Sequence, residues 1–218
     1  GPYGDPIART PAFDRIAASG VTFMNNYCQF PLSGPTRASV LTGLRPDHTG
    51  VWTLDGIFRR NNPEIVSLPQ LFAAHGYETV GIGKVYHPLS DETYNNDPVS
   101  WTKPYIKPQA PVYMLPEGKP VTECVDVPDN AYFDGRVADE AVAWIDSLSR
   151  SDKPFFLAVG FIRPHLPFVA PEKYWDLYDR DKMPLEHRRA GRPQRADAAG
   201  RIPIDEFRSR TVRLSQFE

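Results

Sequence analysis

The sequence predicts an α/β fold with a mainly parallel central sheet and helices on both faces. Strand-like segments at residues 21–27, 77–83 and 155–161 alternate with helix-like segments at 11–19, 68–75 and 131–149. The third strand is almost continuously apolar, which is typical of a strand that is buried on both faces. Parallel strands need crossover connections, and helices are the usual connection. We therefore expect the three strands to share one sheet, with the three helices packed against it.

Start and stop signals support the predicted helices. Thr10 followed by Pro11 is a favourable helix start. Ser67 and Gln70 have the spacing of a capping box, and Gly76 supplies a stop for the same helix. Apolar side chains recur with a period of 3.6 residues between positions 137 and 148.

Two further regions complete the predicted organisation. Residues 88–128 are rich in Pro, Asn and Asp and are predicted to form a long irregular loop, which is usually functional at that length. Residues 1–179 are predicted to form part of one α/β domain that includes this loop. Residues 180–218 contain ten Lys and Arg against six Asp and Glu. They are predicted to be a basic segment that runs into a helix, either as solvated surface or as a docking surface for an acidic polymer.

Composition excludes several classes of protein. The chain has 218 residues, 41% of them hydrophobic, and a net charge of −2, so it can form a core but lacks the positive field that nucleic-acid binding requires. No apolar run is long enough to span a membrane. Cys28 and Cys124 do not have the pattern of a zinc site, and they leave one disulfide or two free thiols open. The chain begins without Met and ends within a predicted helix, so we expect it to be truncated at both ends.

Ser33 begins the segment with the strongest chemical signal. It precedes a predicted helix at residues 35–41, whose free N–H groups and dipole favour an anion. Gly34 permits close backbone approach, and Arg37 lies about one helical turn on, so its guanidinium can reach Ser33. The alternative is an ordinary helix that Ser33 caps without any catalytic role.

Two more segments place cationic or titratable side chains after predicted strands. Lys84 and His87 follow the strand at 77–83, and His165 follows the strand at 155–161 between two prolines. Functional groups of open α/β sheets collect beyond the carboxyl ends of the strands. Arg37, Lys84 and the two imidazoles would together suit a dianionic ester.

The complete pattern resembles the signature of the sulfatase family, in the formylglycine-dependent, alkaline-phosphatase-like superfamily. The signature has Cys or Ser, any residue, Pro, any residue and Arg, with Thr-Gly following; here it begins at Ser33 and ends at Gly43. Thr36 stands where many sulfatases have Ser. The segments around His87 and His165 are most similar to the iduronate-2-sulfatase branch, and the resemblance extends over essentially all of residues 1–218.

The resemblance implies a role for each of these residues. Ser33 would be the precursor of formylglycine, whose hydrate attacks sulfur and then expels sulfate. Arg37 and Lys84 would stabilise the hydrate and the sulfate charge. His87 would assist deprotonation or release, and His165 would contact sulfate or protonate the leaving oxygen, so that Lys84 and His165 also bind substrate. The substrate would be a sulfated sugar such as a uronate 2-sulfate.

The resemblance also implies Ca²⁺, a formylglycine-generating maturation enzyme as a partner, and a periplasmic, secreted or lysosome-like location. Residue 33, as formylglycine, would be the only metal ligand of this chain, because the family's other ligands match no residue of it. We therefore expect the isolated chain to be inactive. Two alternatives stay open: a phosphatase or phosphonate-ester hydrolase that uses unmodified Ser33, and a non-catalytic glycan-binding fragment that uses the Arg-rich segment.

Overall fold

A computed structural model describes residues 1–87, 96–115 and 120–183 of the chain. These residues form an α/β structure with seven α-helices and four strands. The helices are α1 (Pro11–Ser19), α2 (Ser33–Thr42), α3 (Pro46–Thr49), α4 (Phe58–Asn61), α5 (Leu68–Ala74), α6 (Phe133–Leu148) and α7 (Glu172–Trp175). The strands are β1 (Glu78–Gly83), β2 (Thr122–Val125), β3 (Phe155–Gly160) and β4 (Phe168–Pro171).

The central sheet pairs β1 with β3 in parallel, as the sequence predicts. Its register runs from Glu78 opposite Phe155 to Gly83 opposite Gly160. Helix α6 connects the two strands and packs on the face formed by Val80 and Ile82, both of which are fully buried. Burial of that apolar face on α6 gives the sheet one of its two helical layers.

The opposite face of the sheet is covered by α2, by α5 and by the segment at residues 101–105. Ala158 packs there against a core cluster that includes Ala38 and Leu41 of α2. Phe72 of α5 stacks on Phe156, with ring centroids 4.9 Å apart. Both hydrogen bonds of the predicted capping box are present at the start of α5: Ser67 Oγ accepts from Gln70 N, and Gln70 Oε1 accepts from Ser67 N. Helices therefore lie on both faces of the parallel sheet, which confirms the predicted fold class.

The prediction of a strand at residues 21–27 is wrong. This segment forms turns and extended chain, and its large apolar side chains are exposed, with Val21 at 80% and Tyr27 at 78%. The second edge of β1 is already occupied, because Ile106 donates to Gly81 O (2.9 Å) and accepts from Gly83 N (2.9 Å). Residues 21–27 thus have the composition of a strand, but they cannot pair with β1 because its second edge is already hydrogen-bonded.

Helix α1 forms at the predicted residues but does not pack against the sheet as expected. None of its residues is buried, and Phe13 and Ile16 are 65% and 67% exposed. The periodicity of an apolar stripe determines which face can be buried, whereas burial itself depends on a partner surface.

The described part of residues 88–128 (96–115 and 120–128) is more ordered than the predicted irregular loop. The described part contains a short 3-10 helix (Pro98–Ser100) and β2, and β2 pairs in parallel with β4 to form a second small sheet. Residues 102–106 lie along β1. The described part of this loop therefore adds one strand, β2, to the structure. A short strand without clear alternation gives little signal in sequence.

Two glycines face each other where β1 and β3 end. Gly83 has φ +79°, and a Cβ there would overlap the Gly160 carbonyl oxygen. A Cβ on Gly160 would overlap the carbonyl oxygen of Lys84, whose own N–H donates to Gly160 O at 2.7 Å. Only glycine permits this approach of the two backbones.

Other sequence predictions have simpler outcomes. Cys28 and Cys124 are two free, exposed thiols. Among the described helices none is both long and apolar enough to cross a membrane. The basic segment at 180–218 lies outside the described residues from position 184 onward, so its helix and the proposed domain limits stay predictions.

Candidate active site

Ser33 is the first residue of α2, and its hydroxyl contacts two of the predicted site residues. Arg37 Nε donates to Ser33 Oγ at 3.2 Å, and His87 Nδ1 lies 3.1 Å from the same oxygen. The N-cap of α2 is Leu32, which makes no side-chain cap. Ser33 therefore does not cap the helix, contrary to the alternative interpretation, and its catalytic role stays a prediction.

The local chain brings Ser33 to this position through close packing of α2. A Cβ on Gly34 would lie 2.7 Å from the Thr53 carbonyl oxygen, so the start of the helix rests directly on the backbone of residues 53–54. Glycine at position 34 thus permits a close approach, as predicted, although the neighbour is protein backbone.

Arg37 connects the helix to the end of β1. Besides its contact with Ser33, its Nη1 donates to the carbonyl oxygens of Lys84 (2.6 Å) and Val85 (2.7 Å). Burial lowers the pKa of the guanidinium, but arginine stays protonated in proteins. A partly buried positive charge therefore lies beside the Ser33 hydroxyl, and the same side chain fixes the backbone that carries Lys84 and His87.

An open cavity of about 700 Å³ extends from Ser33 and is lined by both predicted cations, Arg37 and Lys84. Apolar groups of Val40, Leu41 and Phe161 form other parts of its wall. A cationic base with apolar walls is suited to an anion attached to a larger organic group.

His87 follows Tyr86, and Tyr86 belongs to a buried polar network. The Tyr86 hydroxyl lies 2.9 Å from Ser100 Oγ, and Ser100 Oγ donates to Asp97. Burial, reinforced by the charge of Asp97, raises the pKa of Tyr86 above its ordinary value. The neutral phenol is therefore stable inside the protein, directly beside the candidate site.

Arg59 pairs with Asp97 at the centre of this network. Arg59 donates to the carboxylate of Asp97 through two nitrogens, Nε to Oδ1 and Nη2 to Oδ2 (2.7 Å). Asp97 is only 5% exposed. Arg59 also donates to the Ile65 carbonyl (2.7 Å) and to Gln70 Oε1 (2.8 Å). Satisfied hydrogen bonds of this kind allow a buried ion pair to persist.

His165 lies on the exposed loop after β3, at the same end of the sheet as Lys84. Its Nδ1 is 2.8 Å from the Leu166 carbonyl oxygen. Neither His165 nor His87 is among the described residues that line the 700 Å³ cavity, whereas Phe161, four residues before His165, is. His87 lines a smaller cavity together with Gly34 and Arg37. The structure thus brings together Ser33, Arg37, Lys84 and His87, and places His165 on the adjoining loop.

Sequence reasoning missed several residues around this site. Phe161 directly follows β3, so the rule that selects residues after strand ends could have included it. Cys28 also lines the cavity, and it directly follows the segment at 21–27 that was predicted to be a strand. Asp97 and Arg59 are 38 positions apart, and no spacing rule indicates such a pair.

The described residues do not fit a calcium ion at Ser33. The groups around its hydroxyl are cations and imidazole, whereas calcium takes about six to eight oxygen ligands. Within residues 1–87, 96–115 and 120–183, no group of three or more His, Cys, Asp or Glu could hold a metal ion.

Comparison with known proteins identifies the family of the chain. The Sulfatase family model matches residues 1–214. The chain belongs to the sulfatase family. Formylglycine and a divalent metal are general features of this family.

Several curated sulfatases are similar in sequence. Iduronate 2-sulfatase of Mus musculus is 34% identical over 199 residues, covering 85% of this chain and 36% of that protein. The Homo sapiens enzyme is 33% identical over the same length and coverage. A sulfatase of Formosa agariphila is 35% identical over 208 residues, covering 80% of this chain and 38% of that protein. The chain thus spans a little over a third of the length of these relatives.

A solved structure shares the fold. The crystal structure of a phosphonate monoester hydrolase of Agrobacterium radiobacter matches with a TM-score of 0.57 and 19% identity, covering 84% of this chain and 41% of that one. This likeness supports the alkaline-phosphatase-like fold that the sequence resemblance implies.

Proposed function

We propose that the protein is a sulfuric ester hydrolase that acts on a sulfated sugar through a formylglycine made from Ser33. The observation that carries the proposal is the contact of Ser33 Oγ with both Arg37 and His87 beside a cavity lined by Lys84. The iduronate 2-sulfatases among its relatives favour a uronate 2-sulfate or a similar ester as substrate.

The modification would supply the reacting group. A hydrated aldehyde offers one hydroxyl that attacks sulfur and a second whose deprotonation restores the aldehyde and releases sulfate. Arg37 would lie against the attacking oxygen and stabilise the negative charge on it. Lys84 would neutralise the sulfate oxygens in the same cavity, because cations that face developing charge lower the barrier.

The two imidazoles would transfer the protons. His87 Nδ1 lies 3.1 Å from the oxygen of residue 33, which is within reach for a general base. His165 Nδ1 lies beside a carbonyl oxygen, so its Nε2 is the ring atom that would deliver a proton to the sugar oxygen as it leaves. These roles are complementary, since release needs a base and departure of a sugar alcohol needs an acid.

A phosphatase or phosphonate-ester hydrolase that uses unmodified Ser33 is the second candidate. The hydroxyl of Ser33 is already within hydrogen-bond distance of His87, which is the arrangement of a nucleophile with its base. A non-catalytic glycan-binding role would depend on the basic segment, which lies largely outside the described residues.

Mass spectrometry of the peptide that contains Ser33 separates the candidates when it is combined with hydrolysis assays on the full reading frame. Sulfatase chemistry predicts loss of two hydrogens from that peptide and hydrolysis of an aryl sulfate and a 2-sulfated uronate. Unmodified Ser33 with faster hydrolysis of phosphate or phosphonate esters would overturn the proposal. Ser33→Ala abolishes either activity, whereas Ser39→Ala in the same helix serves as the control.

A further inference from the structure

The loop that carries His165 donates two backbone hydrogen bonds to one carboxylate outside the loop. Asp134 Oδ1 accepts from Ile162 N at 2.8 Å, and its Oδ2 accepts from Arg163 N at 2.8 Å. The partners are 28 and 29 positions away in sequence. Both carboxylate oxygens are thus used to fix two consecutive peptide groups.

The fixed peptides lie between two residues of the candidate site. Phe161, just before them, lines the cavity with Ser33, and His165 comes two residues after Arg163. The loop is also closed internally, because His165 N donates to Ile162 O at 2.9 Å and Arg163 Nη1 donates to His165 O at 3.0 Å. Fixing residues 162 and 163 therefore fixes the turn from which the imidazole projects.

Electrostatics favours the same arrangement. Burial lowers the pKa of Arg163, and the charge of Asp134 opposes that effect. Asp134 is positioned by α6, the helix that packs on both β1 and β3. Asp134 thereby holds the loop in a fixed position relative to the sheet, whose strand β1 leads into Lys84 and His87.

We infer that Asp134 is a positioning residue for the active site: by accepting from Ile162 N and Arg163 N, it orients the loop that presents Phe161 and His165. This inference rests on the proposed function, because it concerns the group that delivers a proton to the leaving oxygen. An acidic residue in the first turn of α6 also stabilises that helix. Loss of stability alone would therefore not distinguish the two roles.

The first experiment measures the loop without any turnover. Amide hydrogen exchange of the full reading frame is compared for the wild type, Asp134→Ala and Asp139→Ala. Asp139 is a matched control, since it is an acidic residue of the same helix whose described hydrogen bond is to Asn130 (3.1 Å). We expect the segment 161–166 to exchange roughly ten- to a hundred-fold faster in Asp134→Ala only. Equal exchange in all three proteins would overturn the inference.

The second experiment tests the link to His165 with phenyl sulfate, whose leaving group needs a proton. Asp134→Ala should lower kcat by about 100-fold, the scale expected from a small misplacement of a catalytic group, and Asp134→Asn, which keeps one acceptor oxygen, by less. Added to His165→Ala, the Asp134→Ala change should cost less than two-fold more, because the group it positions is already gone. A further 100-fold loss in the double variant would overturn the inference.

Failure of the proposed function gives a different result. A wild-type protein that hydrolyses no sulfate ester contradicts the proposed function, while the exchange experiment still tests whether Asp134 fixes the loop. Unchanged hydrolysis in Asp134→Ala, together with a faster-exchanging loop, would show that the loop does not need this carboxylate for catalysis and would overturn the positioning role.

Discussion

The two strand ends that form the site are fixed in different ways. Beyond β1, the backbone of Lys84 and Val85 accepts from Arg37, and Tyr86 is joined to the buried Arg59–Asp97 pair. Beyond β3, the exposed loop to His165 is fixed by backbone hydrogen bonds to one carboxylate, Asp134.

This difference corresponds to the chemistry proposed for each end. The end of β1 would carry the groups that act on the attacking oxygen and on sulfate, where sub-ångström placement matters for every substrate. The end of β3 would carry the group that meets the leaving alcohol, which differs from one substrate to the next. A buried end that is bonded to several side chains, and an exposed end that is held from outside the loop by one carboxylate, suit these two tasks.

Removal of Arg37 should give the largest effect and would test whether the end of β1 depends on it. Arg37→Ala should reduce hydrolysis about a thousand-fold, because it removes the cation beside Ser33 and leaves two backbone carbonyls without their donor. Arg37→Lys keeps a charge but cannot span three acceptors, so we expect it to rescue little. Steady-state rates of the full reading frame measure this, and near-complete rescue by lysine would show that charge alone suffices.

Removal of the buried charge at Asp97 should destabilise the protein more than any change at the end of β3. Asp97→Asn leaves Arg59 without its buried counter-ion, at a cost of about 3–5 kcal/mol. Asn tolerates the left-handed backbone of this position (φ 46°), so the variant isolates the charge. Urea denaturation compares it with Asp134→Ala and with the exposed control Asp55→Asn. A larger loss of unfolding free energy in Asp134→Ala than in Asp97→Asn would contradict this expectation.

The two histidines should respond differently to the leaving group. His165→Ala should slow phenyl sulfate hydrolysis by about 100-fold, as expected for loss of a general acid, and affect 4-nitrophenyl sulfate far less because its leaving group needs no proton. His87→Ala should slow both substrates to a similar extent. Rates for both substrates with both variants test this, and an equal effect of His165→Ala on both would contradict its role as an acid.

The smallest expected effect concerns alkaline stability at the end of β1. Tyr105 donates to Gly83 O (2.6 Å) and accepts from Val85 N (3.1 Å), and burial raises its pKa to about 12. Since the unfolded phenol ionises near pH 10, the folded state is favoured fully below about pH 10, and this contribution is lost as the pH rises toward 12. Urea midpoints across that range should fall less steeply for Tyr105→Phe than for the wild type. Tyr27→Phe, at an exposed position, should leave the slope unchanged.

Local signals in the sequence predicted the elements that determine the fold. The Ser67–Gln70 capping box, the apolar period of α6 and the apolar run of β3 each depend on residues close together in the chain. The same reasoning failed for residues 21–27, since their burial depends on whether a sheet edge is available, and the edge of β1 is occupied by residues 102–106.

The site shows the same division. The four-residue spacing of Ser33 and Arg37 predicted their contact, and the rule for strand ends placed Lys84 and His87 near them. Asp134 and Asp97 act on partners that tertiary structure alone brings close, so no motif within one segment identifies them.

The glycine pair at the strand ends has a consequence for how such a site can diversify. Because Gly83 and Gly160 bring the two backbones together, direct contact between main-chain atoms sets the spacing of the two strand ends that carry Lys84 and Phe161. In the proposed enzyme, a change of side-chain size at Val40 or Phe161 would thus alter the space for the leaving alcohol without moving the main chain at Lys84. A single methyl group at either glycine would push the two strand ends apart and so change both at once.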